Sequence, residues 1–161
     1  MINGFFVLFV GLKDQIKIKF MNFNNYRKVA HVCLWFGHRV ALSRVVKKAY
    51  HQGFYSDAGG KINDGEDILS AALREVKEET GLQFIPTQLR FIDCFIYPER
   101  KIKSFLFEVK LSEFYFQNIQ NTEPHKQSDW QLFTIQEALK LKLMPSVKHY
   151  LISLYNNDTR N

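Results

Sequence analysis

Glu75, Glu78 and Glu79 fall at i, i+3 and i+4, a spacing that stacks three carboxylates along one arc of a helix. At 100° per residue, Ile68, Leu69, Ala72, Leu73 and Val76 form an apolar stripe on the adjoining arc, so the acids line the rim of a buried face. Carboxylates held within about 6 Å repel by about 2 to 3 kcal/mol per pair at an effective dielectric near 20, which is large against the net stability of a domain. Lys77 points to another side of the helix, and Arg74 alone carries one charge against three. Two readings accommodate this: a solvated acidic face, or a divalent cation held through oxygen. With no thiol or paired histidine nearby, the second favours Mg²⁺, with Mn²⁺ as its substitute, over zinc.

The elements that must position these acids follow from local signals. Asp67 is a suitable helix N-cap after the turn "NDGE", the helix is predicted to run to about Thr80, and Gly81 stands where a left-handed residue closes a helix. Before it, "YRKVAHVCLWF" reads as a strand, Gly37 and His38 as a turn and "RVALSRV" as the returning strand, with a loop from Tyr50 to Gly60. After it come strands at "LRFIDCFIY" and "IKSFLFEVKL", separated by the polar "PERK". Next are "WQLFTI", a short helix near "QEALKL" and an amphipathic helix from about Ser146 to Tyr155. Interleaved strands and helices predict a layered α+β domain.

Bulk composition agrees with one domain. The chain has 161 residues, of which 46% are hydrophobic and 15% aromatic, enough for a single core, and no repeat or linker-like stretch divides it. Its formal charge of +6 is scattered rather than blocked, while Asp57 to Gly81 is net acidic. That split suits an anionic substrate held by separate cations, and no stable nucleic-acid partner is predicted. Cys33 and Cys94 lie in apolar runs without paired metal spacing, as reduced core thiols of a cytoplasmic protein do. The run "INGFFVLFVG" is too short to span a bilayer and lacks the flanks of a signal peptide, so no membrane association is expected. Residues 1 to 20 are read as an N-terminal extension, either an added strand or arm or a segment outside the fold, and residues 21–161 as the domain; the sequence sets no oligomeric state.

Spacing separates the two readings of the acidic helix. The chain carries Gly60, five residues, Glu66, seven residues, Arg74-Glu75, aliphatic Val76, one residue, Glu78-Glu79, one residue, then Gly81 and aliphatic Leu82. At ordinary residue usage a chance match in such a chain is rarer than about one in a million, and the spacing resembles the complete signature of the Nudix family. The resemblance implies an α/β/α sandwich with a mixed sheet between helices, over about residues 25 to 156. It also implies hydrolysis of a diphosphate bond in a nucleotide, with Glu75, Glu78 and Glu79 holding the metal, assisted by a backbone carbonyl at Gly59 or Gly60. Glu75 or Glu79 would also deprotonate water, Arg74 would orient Glu75, and Glu66 would support the loop.

Further positions follow from the same resemblance. Arg44, spaced before Gly59-Gly60 like a phosphate-contacting arginine of MutT-like members, and Lys61, directly after the pair, are candidate substrate-binding cations. The segment "TEPHKQSDWQLF" is similar to that of small nucleoside-triphosphate diphosphatases, which makes Glu123 a candidate additional metal ligand and a nucleoside triphosphate the expected substrate. ADP-ribose or another nucleotide sugar is the alternative, suggested by Pro98, and a catalytically silent nucleotide-sensing domain is the rival from another class. The chain departs from the family pattern at Asp57 and Ala58, where an apolar residue and proline usually precede the two glycines. Relatives place polar base-reading residues where this chain has Leu143, Met144 and Ser146, so an oxidised purine is not favoured.

Overall fold

The computed structural model describes residues 6–8, 19–21, 25–47 and 51–158. The expectation for residues 1 to 20 lies mostly outside these. Its described part is a two-stranded antiparallel ladder, β1 (Phe6–Leu8) with β2 (Lys19–Met21).

The centre of the domain is β3 (Arg27–Phe36), whose apolar run is buried on both faces, as a strand between two helical layers must be. Ala30, Val32 and Leu34 face one core; Cys33 and Trp35 face the other. β3 turns at Gly37 (φ 59°) into β4 (Arg39–Arg44) and pairs with it antiparallel, Leu34 opposite Ala41. On its other side it runs parallel to β8 (Ile102–Lys110), from Arg27 opposite Ile102 to Trp35 opposite Lys110. The antiparallel β7 (Arg90–Tyr97) completes that side, with a bulge between Phe91 and Asp93. β9 (Gln131–Thr134) extends β4 on the opposite flank.

The segment expected as a loop before the acidic helix contains two short strands instead. β5 (Tyr55–Ser56) pairs with β4, and β6 (Ala58–Lys61) pairs with β3, Gly59 opposite His31 and Gly60 opposite Ala30. A glycine pair has little intrinsic strand preference; these residues are extended because β3 presents a free edge beyond its hairpin with β4.

α1 (Ile68–Thr80) follows its sequence signals closely. The Asp67 carboxylate accepts from the Leu69 and Ser70 N–H groups, and Gly81 closes the helix at φ 72°, donating to the Lys77 carbonyl at 3.0 Å. It buries Ala71, Ala72, Val76 and Thr80 against Val32, Leu34, Phe105 and Phe107. Against the other sheet face lies α4 (Pro145–Asp158), which buries Val147, Tyr150 and Leu151. α2 (Glu113–Gln117) and the single turn α3 (Ile135–Ala138) fill the connections. Helix, mixed sheet and helix are thus stacked in three layers with two cores, the α/β/α sandwich expected. Among the described residues no helix is long and apolar enough to cross a membrane.

Candidate active site

β6 delivers the backbone of Gly59 and Gly60 to the acidic side of α1. The Gly59 N–H donates to Glu79 Oε2 at 3.1 Å. A Cβ built on Gly60 would stand 2.5 Å from a Glu75 carboxylate oxygen, and one on Gly59 would stand 2.4 Å from the Ala30 carbonyl. Both glycines are therefore needed for contact, one with the helix and one with the central strand.

Arg74 reaches much further than Glu75. Its Nε and Nη2 donate to the two oxygens of Glu66 at 2.8 and 2.9 Å, and Nη1 donates to Glu75 Oε1 at 2.7 Å and Glu78 Oε2 at 3.0 Å. Nη2 also donates to the Lys61 carbonyl at 3.0 Å. One planar guanidinium gathers three carboxylates, a task its five donors suit. These bonds, with the Asn63 N–H, hold the Glu66 carboxyl down at about 2.

Glu79 is in the opposite situation. Burial is the main reason its carboxyl is pushed up to about 8; the Gly59 N–H opposes the shift, while Glu75, Glu123 and Asp57 add to it. Glu75 is also raised, by burial, with Arg74 opposing. A protonated Glu79 in the fold and an ionised one in the unfolded chain give a definite sign. Between about 4.5, the ordinary value, and about 8, the unfolded state binds fewer protons, so stability falls as pH rises and levels off above that window. In chelator, the melting temperature is expected to drop across this range; addition of Mg²⁺ should raise it more at pH 8 than at pH 5. A metal-induced shift independent of pH would count against cation binding at Glu79.

The donor set fits a hard divalent cation. Glu79 and Glu75 are partly buried oxygen donors with excess negative charge around them, Glu78 extends the cluster into solvent, and a cation already sits against two of these acids, Glu75 and Glu78, in the form of Arg74. Among the described residues no three acidic, histidine or cysteine side chains converge as a finished metal site. Arg74 draws Glu75 and Glu78 to itself, so a metal would share these oxygens with it.

Beside Glu79 and the two glycines opens a cavity of about 250 Å³. Four cationic side chains, Arg27, Lys61, Arg100 and Lys126, line it. Lys126 is ion-paired with Glu123, whose charge bears on both Glu75 and Glu79. Arg44 is not among the lining residues. It ends β4 exposed, on the strand face of Val40 and Leu42, whereas the adjacent Ser43 turns to the opposite face and bonds Gln127 on the cavity wall; Lys126, which the sequence does not mark, is a lining cation. Met144, Pro145 and Ser146 reach the cavity from the start of α4, while Trp130 packs against the α1 core and donates Nε1–H to the Glu79 carbonyl at 3.3 Å.

The NUDIX domain model matches residues 25–154, most of the chain, and the chain belongs to that family. A curated relative, an 8-oxo-dGTP diphosphatase of Buchnera aphidicola subsp. Schizaphis graminum, is 30% identical over 69 residues, 43% of this chain and 52% of that protein. The chain thus spans about half the length of the curated relatives it matches. In fold it is similar to the MutT NUDIX hydrolase from Burkholderia pseudomallei, at TM-score 0.66 and 16% identity, covering 78% of this chain and 95% of that one. It is also similar to a mutT/nudix family protein from Listeria innocua, at TM-score 0.63 and 22% identity, covering 83% and 94%.

Proposed function

We propose that the chain hydrolyses a diphosphate bond of a nucleoside triphosphate in the presence of Mg²⁺, with Mn²⁺ as a substitute, giving nucleoside monophosphate and pyrophosphate. The observation that carries this reading is the placement of Glu79, with Glu75 behind it, on the wall of a cavity that Arg27, Lys61, Arg100 and Lys126 also line. The relatives named 8-oxo-dGTP diphosphatases support a triphosphate. Glu75, Glu78, Glu79 and the Gly60 carbonyl would hold the metal, with Glu123 as a further oxygen donor. When bound, such an ion neutralises diphosphate oxygens and makes water easier to deprotonate.

The chain's own residues supply the rest. Arg74 positions Glu75 and Glu78 through its bonds to both, and its anchor on Glu66 and the Lys61 carbonyl fixes it to the loop between β6 and α1. Lys61 and Lys126 offer ammonium groups to the phosphates. Glu79 or Glu75 takes the proton of the attacking water as the new P–O bond forms, and the bridging oxygen leaves with the displaced product, pyrophosphate for attack at the α-phosphorus or nucleoside monophosphate for attack at the β-phosphorus.

The test is a panel of nucleoside triphosphates and ADP-ribose with purified protein and Mg²⁺. Pyrophosphate release from a triphosphate, abolished by chelator and by Glu78→Gln but retained in Glu113→Gln, is expected. Cleavage of ADP-ribose alone would move the substrate to the nucleotide sugars. Binding of nucleotide with no turnover of any substrate would make this a sensing domain.

A further inference from the structure

We propose that Lys126 is a positioning residue that competes with the divalent cation for the Glu123 carboxylate and, once Glu123 is given up to the cation, carries its ammonium to the substrate's phosphates. This rests on the hydrolytic reading above and adds how uptake of cation and phosphate is linked.

The segment between α2 and β9 docks beside the acidic end of α1. Thr122 donates its hydroxyl to the Glu78 carbonyl, the Gln120 N–H donates to the Thr80 carbonyl at 3.0 Å, and Trp130 Nε1–H donates to the Glu79 carbonyl at 3.3 Å. Glu123 follows directly, its N–H donating to Asn121 Oδ1 at 3.1 Å. The Lys126 N–H closes a turn on the Glu123 carbonyl at 2.9 Å, and the Lys126 carbonyl accepts from the Val46 N–H at 2.9 Å. The backbone of both residues is therefore tied down, while the four-carbon lysine stem keeps its rotatable bonds.

Lys126 Nζ donates to Glu123 Oε1. The Glu123 side chain is 20% exposed, and its charge adds to the excess felt by Glu75 and Glu79, so it belongs to the same electrostatic cluster. From the other side, the bond to Glu123 chiefly, with Glu79 and Glu75 adding, holds the Lys126 ammonium in its charged form against burial. A monovalent cation thus already occupies an oxygen that a divalent one would use. The two repel strongly across one carboxylate, so Glu123 exchanges one for the other. The Lys126 side chain is 48% exposed and lines the cavity, which leaves its ammonium room to turn inward, where its three donors suit phosphate oxygens. Such an exchange makes each ligand favour the other, by the same factor in both directions.

Calorimetric titration of the full chain with Mg²⁺, repeated with Mn²⁺, needs no substrate. Lys126→Gln is expected to bind the cation about 10-fold more tightly than the parent, an ordinary size for coupling between sites. Lys126→Arg, which keeps a cation on Glu123, should stay near the parent. In a Glu123→Gln background the gain from Lys126→Gln should fall to about twofold or less, because only screened repulsion remains. At saturating Mg²⁺, inorganic pyrophosphate should bind Lys126→Gln about 10-fold more weakly than the parent, the loss of one charge-assisted hydrogen bond. An unchanged or weakened cation affinity in Lys126→Gln, an equal gain in the Glu123→Gln background, or an unchanged pyrophosphate affinity would each overturn the proposal. The expected coupling in a protein that releases no pyrophosphate from any triphosphate would leave the exchange standing and overturn the hydrolytic reading. Turnover of a triphosphate without coupling between Glu123 and Lys126 would do the reverse.

Discussion

Glu79→Gln is expected to lower kcat by about 10²- to 10⁴-fold, the range over which a positioned proton acceptor contributes, while leaving the protein folded. The amide oxygen can still accept the Gly59 N–H, so the link between β6 and α1 survives the change. What disappears is a charge held in a mostly buried position next to Glu75, Glu123 and Asp57. In chelator above pH 8 the variant should therefore melt higher than the parent, and the decline in stability between about 4.5 and about 8 should flatten. Steady-state kinetics with Mg²⁺ and thermal melts in chelator check the two halves. Turnover near that of the parent would remove Glu79 from the chemistry, whatever the melts show.

Arg74→Met should destabilise the metal-free protein by about 2 kcal/mol, measured by urea unfolding. Breaking a fully buried ion pair costs about 3 to 5 kcal/mol, but Arg74 is 27% exposed and Glu78 51%, so solvent screens part of the loss. The main penalty falls on Glu75, whose side chain is 12% exposed and would lose the guanidinium that offsets the cost of its burial. Arg74→Lys should recover only part of the stability, because one ammonium cannot reproduce a bidentate bond to Glu66 together with bonds to Glu75 and Glu78. Saturating Mg²⁺ should narrow the gap between variant and parent. A variant as stable as the parent in chelator would mean that Arg74 contributes little beyond surface charge.

What the sequence makes legible here is local. Asp67, the apolar stripe and Gly81 define α1 at both ends, because capping and helical period act within a few residues. The hairpin of β3 and β4 carries its own turn. β5 and β6 escape such a reading because their extended shape comes from partner strands upstream, β4 for β5 and, more than twenty residues away, β3 for β6, not from their own glycines and serine. The cavity wall is harder still. His31, Asp57, Ser104 and Gln127 arrive from four separate stretches and meet only once the sheet and the segment before β9 are assembled. A faint signal did exist: His31 in "VAHVC" and Ser104 in "KSFLF" are polar side chains set in runs that are otherwise buried. Arg44 shows the converse, since spacing to the glycine pair is blind to which side of β4 a residue faces.

The side-by-side alignment of β3 with β8 also dictates an order of events on the ribosome. β3 is synthesised early, yet its partner begins only at Ile102, after α1 and β7. Until then a long apolar strand has an uncovered edge, the feature that invites pairing with neighbouring chains, and pairing across such a long loop is slow to form. A fragment ending before Ile102 should thus possess every residue of the glutamate helix and still aggregate, since β3 keeps one edge unpaired and the helix lacks Phe105 and Phe107 to pack against.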